Sequence, residues 1–470
     1  MEHRARHISR TQFTWRERLG LCSAAVAVLV VQLDWLAVNL ALPRIASYFS
    51  RPATDLHWII TGFMLAFGGV LPLTGRLIDA HGRRLVTIYG MATFLAGSAV
   101  CAAAPDVLWL IAGRVGQGVG GAFVVPGAVG MISAVLEGHQ KDVGLGFILG
   151  AAGAGAAFGP FIGGLLAEFN WRYVFIVNIP LCLASMPIIY WCVTPSRDSR
   201  KAAGRAPLLH AVSVVLGFVG VTLALDRGST WGWTSFPTLT SGGGGVLLLV
   251  AFALQEARGK RSLHDRALYR DRSIRMLTII GTLAMATYVL LTTLSVLYLQ
   301  EAQGLSSISA GCVFLALSVP DAVSSYAAGR VAGSGYTYAW LCGAMASATV
   351  GVLMVTWSET LGPYVLAFVL CGLGVGLAGG LTNVLTQQHV PPEQAGAAMS
   401  LTLAAKMLAS ATVISLAATG LESLNEGSGA AATNTSAVES VLRGSALLPA
   451  CGFALLLFRA AKVARTRTQR

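Results

Sequence analysis

The sequence predicts an all-α integral membrane protein with fourteen transmembrane helices. Of its 470 residues, 55% are hydrophobic and only 11% are charged, whereas a soluble globular protein carries about 25% charged residues. A transmembrane helix needs ~20 apolar residues, so fourteen helices need about 280 positions, which this composition can supply. The strict alternation of a membrane β-barrel is absent, and helices satisfy every backbone polar group inside the bilayer.

Fourteen apolar segments follow one another along the chain, each near the length that a bilayer requires. They lie at about 20–42, 57–78, 85–104, 107–131, 143–167, 171–193, 207–225, 238–255, 276–299, 307–329, 338–357, 362–386, 395–420 and 443–460. The seventh and eighth segments are the weakest, because Pro207, His210 and the glycines from Gly242 to Gly245 interrupt them.

The basic residues give the orientation of these helices. With the amino terminus inside, 26 of the 33 lysines and arginines fall on the cytoplasmic side and five on the outer side, while Arg114 and Lys406 lie within spans. This bias follows the positive-inside rule and places both termini in the cytoplasm of a multi-pass protein of the cell membrane. The net charge of +12 is therefore a signal of topology, and binding of nucleic acid is not expected.

The simplest division of the chain has three regions. Residues 1–195 form an N-terminal six-helix bundle, 196–275 two extra transmembrane helices with cytoplasmic linkers, and 276–470 a second six-helix bundle that repeats the first. The polar stretch 256–275 is expected to form an amphipathic helix on the inner surface. The stretch 421–442, rich in serine, glycine and asparagine, is expected to be a flexible outer loop. We expect a monomer.

Four ionisable side chains lie within the apolar spans: Asp34, Arg114, Asp321 and Lys406. A charge at the centre of the bilayer costs about 2.5–3.5 kcal/mol on insertion scales, so such residues usually face a cavity or a partner and mark a transport pathway. Asp34 lies halfway along the first span, where a carboxyl can exchange a proton when access to it switches sides. The alternative is a structural ion pair with Arg114 or Lys406.

The second acid, Asp321, follows Pro320, which loosens the helix and frees a backbone carbonyl, so that a polar pocket lining is favoured there. We therefore consider proton coupling for Asp321 as well as for Asp34. Lys406 lies in the same half of the chain as Asp321. The sequence leaves open whether these two side chains pair or whether Lys406 binds the substrate.

The fifth span has a distinctive glycine pattern, GFILGAAGAGAAFGPFIGG (146–164). Small residues let the backbones of membrane helices approach closely, and proline bends a helix. The residues of this pattern are Gly146, Gly155, Gly159, Pro160, Gly163 and Gly164. The pattern predicts a tightly packed, kinked helix.

This spacing resembles the antiporter signature of the major facilitator superfamily, which is found in drug/proton exporters. Three further stretches are similar to motifs of that superfamily: GRLIDAHGRR (75–84) to its cytoplasmic-loop motif, LIAGRVGQGVGGA (110–122) to its span-four motif, and LDWLAVNLALP (33–43) to the span-one motif of the fourteen-span drug/proton antiporter branch. The segment NWRYVFIVNIP (170–180) also resembles that branch. The bulky Trp35 departs from the small residue usual in the span-one motif.

The cytoplasmic-loop motif has a physical interpretation. Its matching residues are Gly75, Asp79, Gly82 and Arg83, whereas Ala80 replaces a usual basic residue. Asp79, at a helix end, can engage a neighbouring helix N-terminus or Arg83, which would hold the two halves together on the inner side until transport opens them. An ordinary positive-inside loop explains the arginines but not Asp79. A degenerate second copy at Gly329 and Arg330 lacks the aspartate.

The span-four motif comprises Arg114, Gln117 and Gly118. Arg114 and Gln117 are one helical turn apart and share a face. The resemblance implies that this face passes protonation changes to the substrate cavity, and a plain structural pair is the alternative.

The resemblance as a whole implies proton-coupled export of small amphipathic organic compounds, such as drugs or antibiotics, by alternating access. The partners would then be protons and a small-molecule substrate, with the proton gradient in place of a cofactor. An apolar and aromatic cavity suits such compounds. From helix position, its candidate lining residues are Trp35, Asn39, Phe63, Phe67, Phe123, Tyr288 and Lys406.

Two other functions were weighed. Export of a lipid, siderophore or endogenous metabolite fits the same sequence, whereas the signature of the fifth span argues against import. A membrane-embedded enzyme is disfavoured, because the eight histidines and eight cysteines show no metal-ligand spacing. The sequence also lacks a phosphate-binding loop for ATP-driven pumping.

Overall fold

In a computed structural model, the described part of the chain is almost entirely helical. It comprises residues 13–51, 56–136, 138–194, 208–258, 271–334, 336–358, 360–390, 395–426 and 435–468. No β-strand occurs in these ranges. The prediction of an all-α membrane protein is confirmed.

The first half of the chain forms seven helices in the described residues. They are α1 (Trp15–Phe49), α2 (Trp58–His81), α3 (Arg83–Ala103), α4 (Val107–Val135), α5 (Gly138–Phe169), α6 (Tyr173–Ile176) and α7 (Asn178–Cys192). The short α6 and α7 together make the sixth span, broken at Val177. We call α1 to α7 the N-half.

A helical hairpin and a second half follow. The hairpin is α8 (Leu208–Trp231) and α9 (Phe236–Arg258). The second half, which we call the C-half, comprises α10 (Arg272–Leu297), α11 (Ser307–Val331), α12 (Thr337–Trp357), α13 (Leu361–Gln388), α14 (Ala395–Glu426), α15 (Thr435–Ser445) and α16 (Leu447–Thr468). A π-helical turn, Tyr298–Ala302, extends α10.

Thirteen stretches of the described chain are long and apolar enough to cross a membrane. They correspond to every predicted span except the seventh, where the structure has the 24-residue helix α8. The count of fourteen spans and the three-region division therefore stay predictions, while the many-helix membrane architecture is established.

Of the two predictions for the polar stretches 421–442 and 256–275, the structure contradicts the first and describes little of the second. The flexible outer loop over 421–442 is wrong at both ends, because α14 continues to Glu426 and α15 begins at Thr435. The amphipathic inner-surface helix over 256–275 falls largely on 259–270, which lie outside the described residues, as does the linker 196–206.

Side-chain caps explain where several helices begin. Thr14 and Glu17 form a capping box at α1, in which the Glu17 N–H donates to Thr14 Oγ1 (3.3 Å) and the Thr14 N–H donates to Glu17 Oε2 (2.8 Å). Asp106 accepts from the Trp109 N–H at the start of α4 (3.0 Å). Asp271 caps α10 in the same way, because its Oδ1 accepts from the Ser273 N–H (2.6 Å). Polar residues outside the apolar runs thus fix the helix ends.

The α8–α9 hairpin packs at the junction of the two halves through α8. Asp226 of α8 accepts a hydrogen bond from Trp58 Nε1 of the N-half (2.8 Å), and its carboxylate lies 2.9 Å from His57 Nε2. On the other side, Thr419 Oγ1 of α14 donates to the Leu225 carbonyl of α8 (2.6 Å). The extra helix α8 therefore contacts both halves.

Candidate functional site

A buried ion pair lies in the N-half between the first and fourth spans. Arg114 Nη1 is 2.5 Å from Asp34 Oδ2, and both side chains are completely buried. The guanidinium also donates to Gln117 Oε1 (2.9 Å) and to the Ile59 carbonyl (3.0 Å), and it lies over the ring of Phe63 at 4.5 Å. The structure thus answers one open question: the partner of Asp34 is Arg114 and not Lys406.

The second oxygen of the Asp34 carboxylate is also fully engaged. Oδ1 accepts from Gln117 Nε2 (3.0 Å) and from Asn178 Nδ2 (2.6 Å). Gln117 in turn donates to Ser98 Oγ (2.9 Å). All these residues belong to the N-half, so Asp34 is held by one bundle alone. We call Asp34, Arg114, Gln117, Asn178 and Ser98 the Asp34 cluster.

Such a cluster is costly to disturb. Burying two charges has a large desolvation penalty, and removing one partner from a buried pair costs about 3–5 kcal/mol because the other charge is left uncompensated. Any event that neutralises Asp34, including protonation, would therefore release Arg114 and change the contacts of α1 with α4.

The glycines of α5 lie on two faces of that helix. Along one face, a Cβ added to Gly155 would lie 2.6 Å from the Leu29 carbonyl oxygen of α1, and one added to Gly159 would lie 2.9 Å from the Leu33 carbonyl oxygen. A Cβ added to Gly163 would overlap the Ala37 backbone of the same helix α1. The absence of side chains lets α1 and α5 touch backbone to backbone.

The other face of α5 contacts the C-half. A Cβ at Gly164 would overlap the Ser307 carbonyl at the start of α11, and Pro160 lies against Gly311. Further along, Ser318 Oγ donates to the Ala157 carbonyl (2.6 Å). The antiporter pattern thus joins α5 to its own bundle and to the opposite one at once.

These contacts lie towards one end of the molecule, which we call the Glu168 end. Towards the opposite end, an added Cβ would have no neighbouring atom within 4 Å at several glycines of α2, α5 and α11. They are Gly75, Gly146, Gly150, Gly153, Gly329 and Gly333. The contacts between α5 and α11 therefore lie towards the Glu168 end, and we call the opposite end of the molecule the Gly75 end.

A polar bridge at the Glu168 end crosses between the halves. Glu168 Oε1 pairs with Arg44 Nη2 (2.7 Å), and Glu168 Oε2 accepts from the Ser307 N–H (2.9 Å), the first residue of α11. Gln300 Nε2 donates to the Leu40 carbonyl (3.1 Å) beside it. A carboxylate at a helix N-terminus is electrostatically favourable. We call Arg44, Glu168 and Ser307 the Glu168 bridge.

The chain matches the model of the Major Facilitator Superfamily over residues 24–413. It belongs to this superfamily. The protein is accordingly a multi-pass membrane transporter and not an enzyme.

Curated relatives include proteins named for resistance to an antibiotic, one of them also named for export. The chain is 32% identical to the puromycin resistance protein pur8 of Streptomyces alboniger, over 84% of this chain and 80% of that one. It is 30% identical to the tetracenomycin C resistance and export protein of Streptomyces glaucescens, over 80% and 71%. It is also 30% identical to the uncharacterized MFS-type transporter EfpA of Mycobacterium tuberculosis, over 65% of this chain but only 58% of EfpA.

Solved structures of the superfamily share the fold. The human organic anion transporter MFSD10 superposes with a TM-score of 0.63 at 18% identity, covering 94% of this chain and all of that one. The peptide transporter POT in complex with sulfate gives 0.68 at 15% identity, covering 95% of each chain. At these identities the likeness concerns the fold alone.

Within this superfamily fold, the predicted latch of the cytoplasmic-loop motif is only partly described. Gly82 has φ +86°, a conformation that favours glycine, and it forms the turn between α2 and α3. The side chain of Asp79 lies outside the described residues, so its predicted contact stays a prediction. Arg84, which we did not predict, donates to the Tyr190 and Val193 carbonyls at 3.0 Å and ties α3 to α7.

The predicted cavity residues are dispersed. Phe63 and Phe67 stack at 5.9 Å, with Phe63 under Arg114, and Gly118 packs closely on the backbone of α2 beside them. Trp35, Asn39 and Tyr288 are buried, and Phe123 is half-buried. The Asn39 Oδ1 and Tyr288 hydroxyl atoms are buried without a hydrogen-bond partner.

A cavity of about 400 Å³ lies between α2, α8, α9, α10 and α14, at the junction of the halves. Apolar side chains dominate its lining, including Pro72, Phe218, Phe252, Ile279, Leu401 and Leu408. None of the predicted cavity residues lines it, and the α8–α9 hairpin forms one of its walls.

Two sets of contacts were not predicted from the sequence: those of Asn178 and Ser98 in the Asp34 cluster, and the Glu168 bridge. Asn178 is a polar residue within an apolar run that resembles a family motif, and this is the signal that could have found it. Glu168 and Arg44 are far apart in sequence and at span ends, where charges are common, so no pattern pointed to their pairing.

Neutralising Glu168 should weaken closure of the Glu168 end. Glu168→Gln removes the ion pair and the negative charge at the start of α11, while both partners are partly exposed, so we expect a loss of about 1 kcal/mol. Spin labels at the exposed positions Phe169 and Gln303, in a cysteine-free background, would report a several-fold larger population of long distances. Arg44→Gln is the matched control and should shift the distances less, because the Ser307 contact remains. Unchanged distances in both variants would contradict the bridge.

Proposed function

We propose that this transporter exports small amphipathic organic compounds, such as drugs or antibiotics, in exchange for protons. The observation that carries the proposal is the completely buried Asp34–Arg114 pair. Its carboxylate is the one group in the Asp34 cluster that can gain a proton and lose its charge. The relatives named for resistance to puromycin and for resistance to and export of tetracenomycin C supply the substrate class.

The proton step follows from the contacts of Asp34. A proton that enters from outside neutralises the carboxylate and releases Arg114 from the ion pair; its departure to the cytoplasm restores the pair. Because the cluster ties α1 to α4 and α7, the change in charge alters the packing of the N-half. This supports a coupling in which protonation favours the inward-facing state and drug leaves by the opposite movement.

The two ends of the molecule support alternating access. The positive-inside distribution assigns the Glu168 end to the outside and the Gly75 end to the cytoplasm. In that orientation the α5–α11 contacts and the Glu168 bridge lie on the outer side, which supports an inward-facing conformation, and the Asp34–Arg114 ion pair fits the stage after proton release. Rocking of the N-half against the C-half would exchange the two ends. Both termini are then cytoplasmic.

One coupled carboxyl suffices energetically. Moving one elementary charge through 100 mV yields about 2.3 kcal/mol. At ~1.4 kcal/mol per decade, this sustains roughly a fortyfold gradient of a neutral substrate. One coupled proton therefore supplies enough energy for the export that we propose, which needs no cofactor; we propose that the protein acts as a monomer.

The test is a susceptibility panel in a bacterial host that lacks its own drug pumps. Expression of this protein should raise the inhibitory concentration of several amphipathic antibiotics about fourfold or more, a step that one coupled proton can support. A fluorescent tag confirms that the protein reaches the membrane, and the empty vector is the control. If the protein is abundant in the membrane and no compound is affected, drug export is wrong and a lipid, siderophore or metabolite becomes the expected cargo.

A further inference from the structure

Lys406 carries a buried positive charge in the C-half that no acidic side chain of the described residues balances. It is only 4% exposed, and its ammonium donates to two neutral oxygens, Asn383 Oδ1 at 2.7 Å and Thr382 Oγ1 at 3.2 Å. Asp34 is occupied by Arg114, and no ion pair joins Lys406 to Asp321, although both are described. The alternative of a Lys406–Asp321 pair is therefore not what the structure forms.

The surroundings of Lys406 are shaped to hold it. A Cβ at Gly281 of α10 would overlap Lys406 Cε and lie 2.7 Å from Nζ, so only glycine lets the lysine cross α10. Asn383 is half-buried, so part of its side chain stays accessible. The lysine thus extends from α14 across α10 to α13 and presents its charge beside a partly accessible amide.

Asp321 is held away from this lysine by the packing of α11 on α13. The backbone of Asp321 lies against Gly372 and Gly376, whereas the partners of Lys406 are residues 382 and 383 of the same helix. At 1.5 Å of rise per residue these levels are about 13 Å apart. Asp321 and Lys406 therefore lie in one half without pairing with each other.

We propose that Lys406 and Asn383 bind the negatively charged group of the transported compound, so that organic anions and zwitterions are favoured over simple cations. The proposal rests on the drug-export function above. The third N–H of the ammonium and the Nδ2 group of Asn383 supply the donors for a carboxylate or sulfonate, since the Thr382 hydroxyl already donates to the Gly379 carbonyl (2.9 Å). Hydrogen bonds between charged groups are roughly twice as strong as neutral ones.

A matched pair of fluorescent probes tests this directly on the full-length purified protein. Anilinonaphthalene sulfonate is an organic anion, and phenylnaphthylamine has the same aromatic skeleton without the sulfonate. Equilibrium dialysis should show that the wild type favours the sulfonate, and that Lys406→Met weakens its binding about tenfold or more while changing the neutral probe by less than about twofold. Removal of an unbalanced buried charge should not lower the unfolding temperature.

The controls separate the site from general effects. Ser410→Ala, a buried polar position one turn along α14, should change neither affinity, whereas Asn383→Leu should weaken the sulfonate alone and serves if Lys406→Met does not fold. If the site accepts any free anion, inorganic sulfate in excess should displace the sulfonate probe. If sulfate does not displace the probe, the site is restricted to organic anions. Equal binding of the two probes by the wild type, or unchanged sulfonate binding in both variants, would overturn the proposal.

The same variants distinguish the two proposals. If the susceptibility panel shows resistance that Lys406→Met leaves unchanged for anionic, zwitterionic and neutral drugs alike, the anion site is wrong and export stands. If the protein confers no resistance yet binds the sulfonate through Lys406, drug export is wrong and the site stands.

Discussion

Replacing Asp34 by asparagine is expected to abolish export driven by a proton gradient, reducing resistance to the level of the empty vector. Asparagine has the same shape but cannot take up a proton, so the cluster loses its titratable group. In inverted membrane vesicles, the proton-driven uptake of a drug found in the susceptibility panel should fall more than about tenfold. Exchange of labelled for unlabelled drug, which needs no net proton movement, should continue.

The single variant also leaves the charge of Arg114 buried without a partner, which costs about 3–5 kcal/mol and could prevent folding. The double variant Asp34→Asn with Arg114→Gln removes both charges and is the matched control for stability. We expect it to unfold near the wild-type temperature and still to lack proton-driven uptake. Normal proton-driven uptake in a well-folded double variant would exclude Asp34 as the coupling residue.

Much of the architecture could be predicted because the bilayer imposes a strong constraint on composition. Apolar segments of helical length gave the spans, and a charge inside such a segment is so unfavourable that Asp34 and Arg114 stood out at once. The one-turn spacing of Arg114 and Gln117 also predicted a contact that the structure contains, at 2.9 Å. The glycines of α5 were recognisable because close helix packing requires small residues at fixed spacing.

The contacts that depend on how helices are arranged could not be predicted in the same way. Glu168 meets the start of α11 across 139 positions of sequence, and nothing local in either segment encodes that approach. Lys406 was visible as a buried charge, but its neutral partners Thr382 and Asn383 are ordinary residues of an apolar helix. The break at Val177, which places Asn178 on the Asp34 carboxylate, has no glycine or proline at that residue to signal it.

Replacing Gly164 by alanine is expected to shift the conformational equilibrium away from the closed Glu168 end. The added Cβ would overlap the Ser307 carbonyl of the opposite half, and overpacking of this kind costs about 1–3 kcal/mol. Most of that cost falls on the state in which α5 and α11 touch, because the other close neighbour is the flexible end of the Leu40 side chain, at 3.0 Å. Spin labels at Phe169 and Gln303 should report mainly long distances, and proton-driven export should fall about tenfold.

The neighbouring glycine provides the decisive comparison, because one residue along a helix turns the side chain by about 100°. Gly163 faces the Ala37 backbone within its own bundle, so Gly163→Ala should lower the unfolding temperature in every state. Gly153→Ala points into open space and should lower neither stability nor closure of the Glu168 end. If Gly164→Ala destabilised the protein as much as Gly163→Ala without changing the label distances, α5 would be a packing element only. A change in distances at unchanged unfolding temperature would instead mean that one face of α5 holds its bundle together while the other controls access.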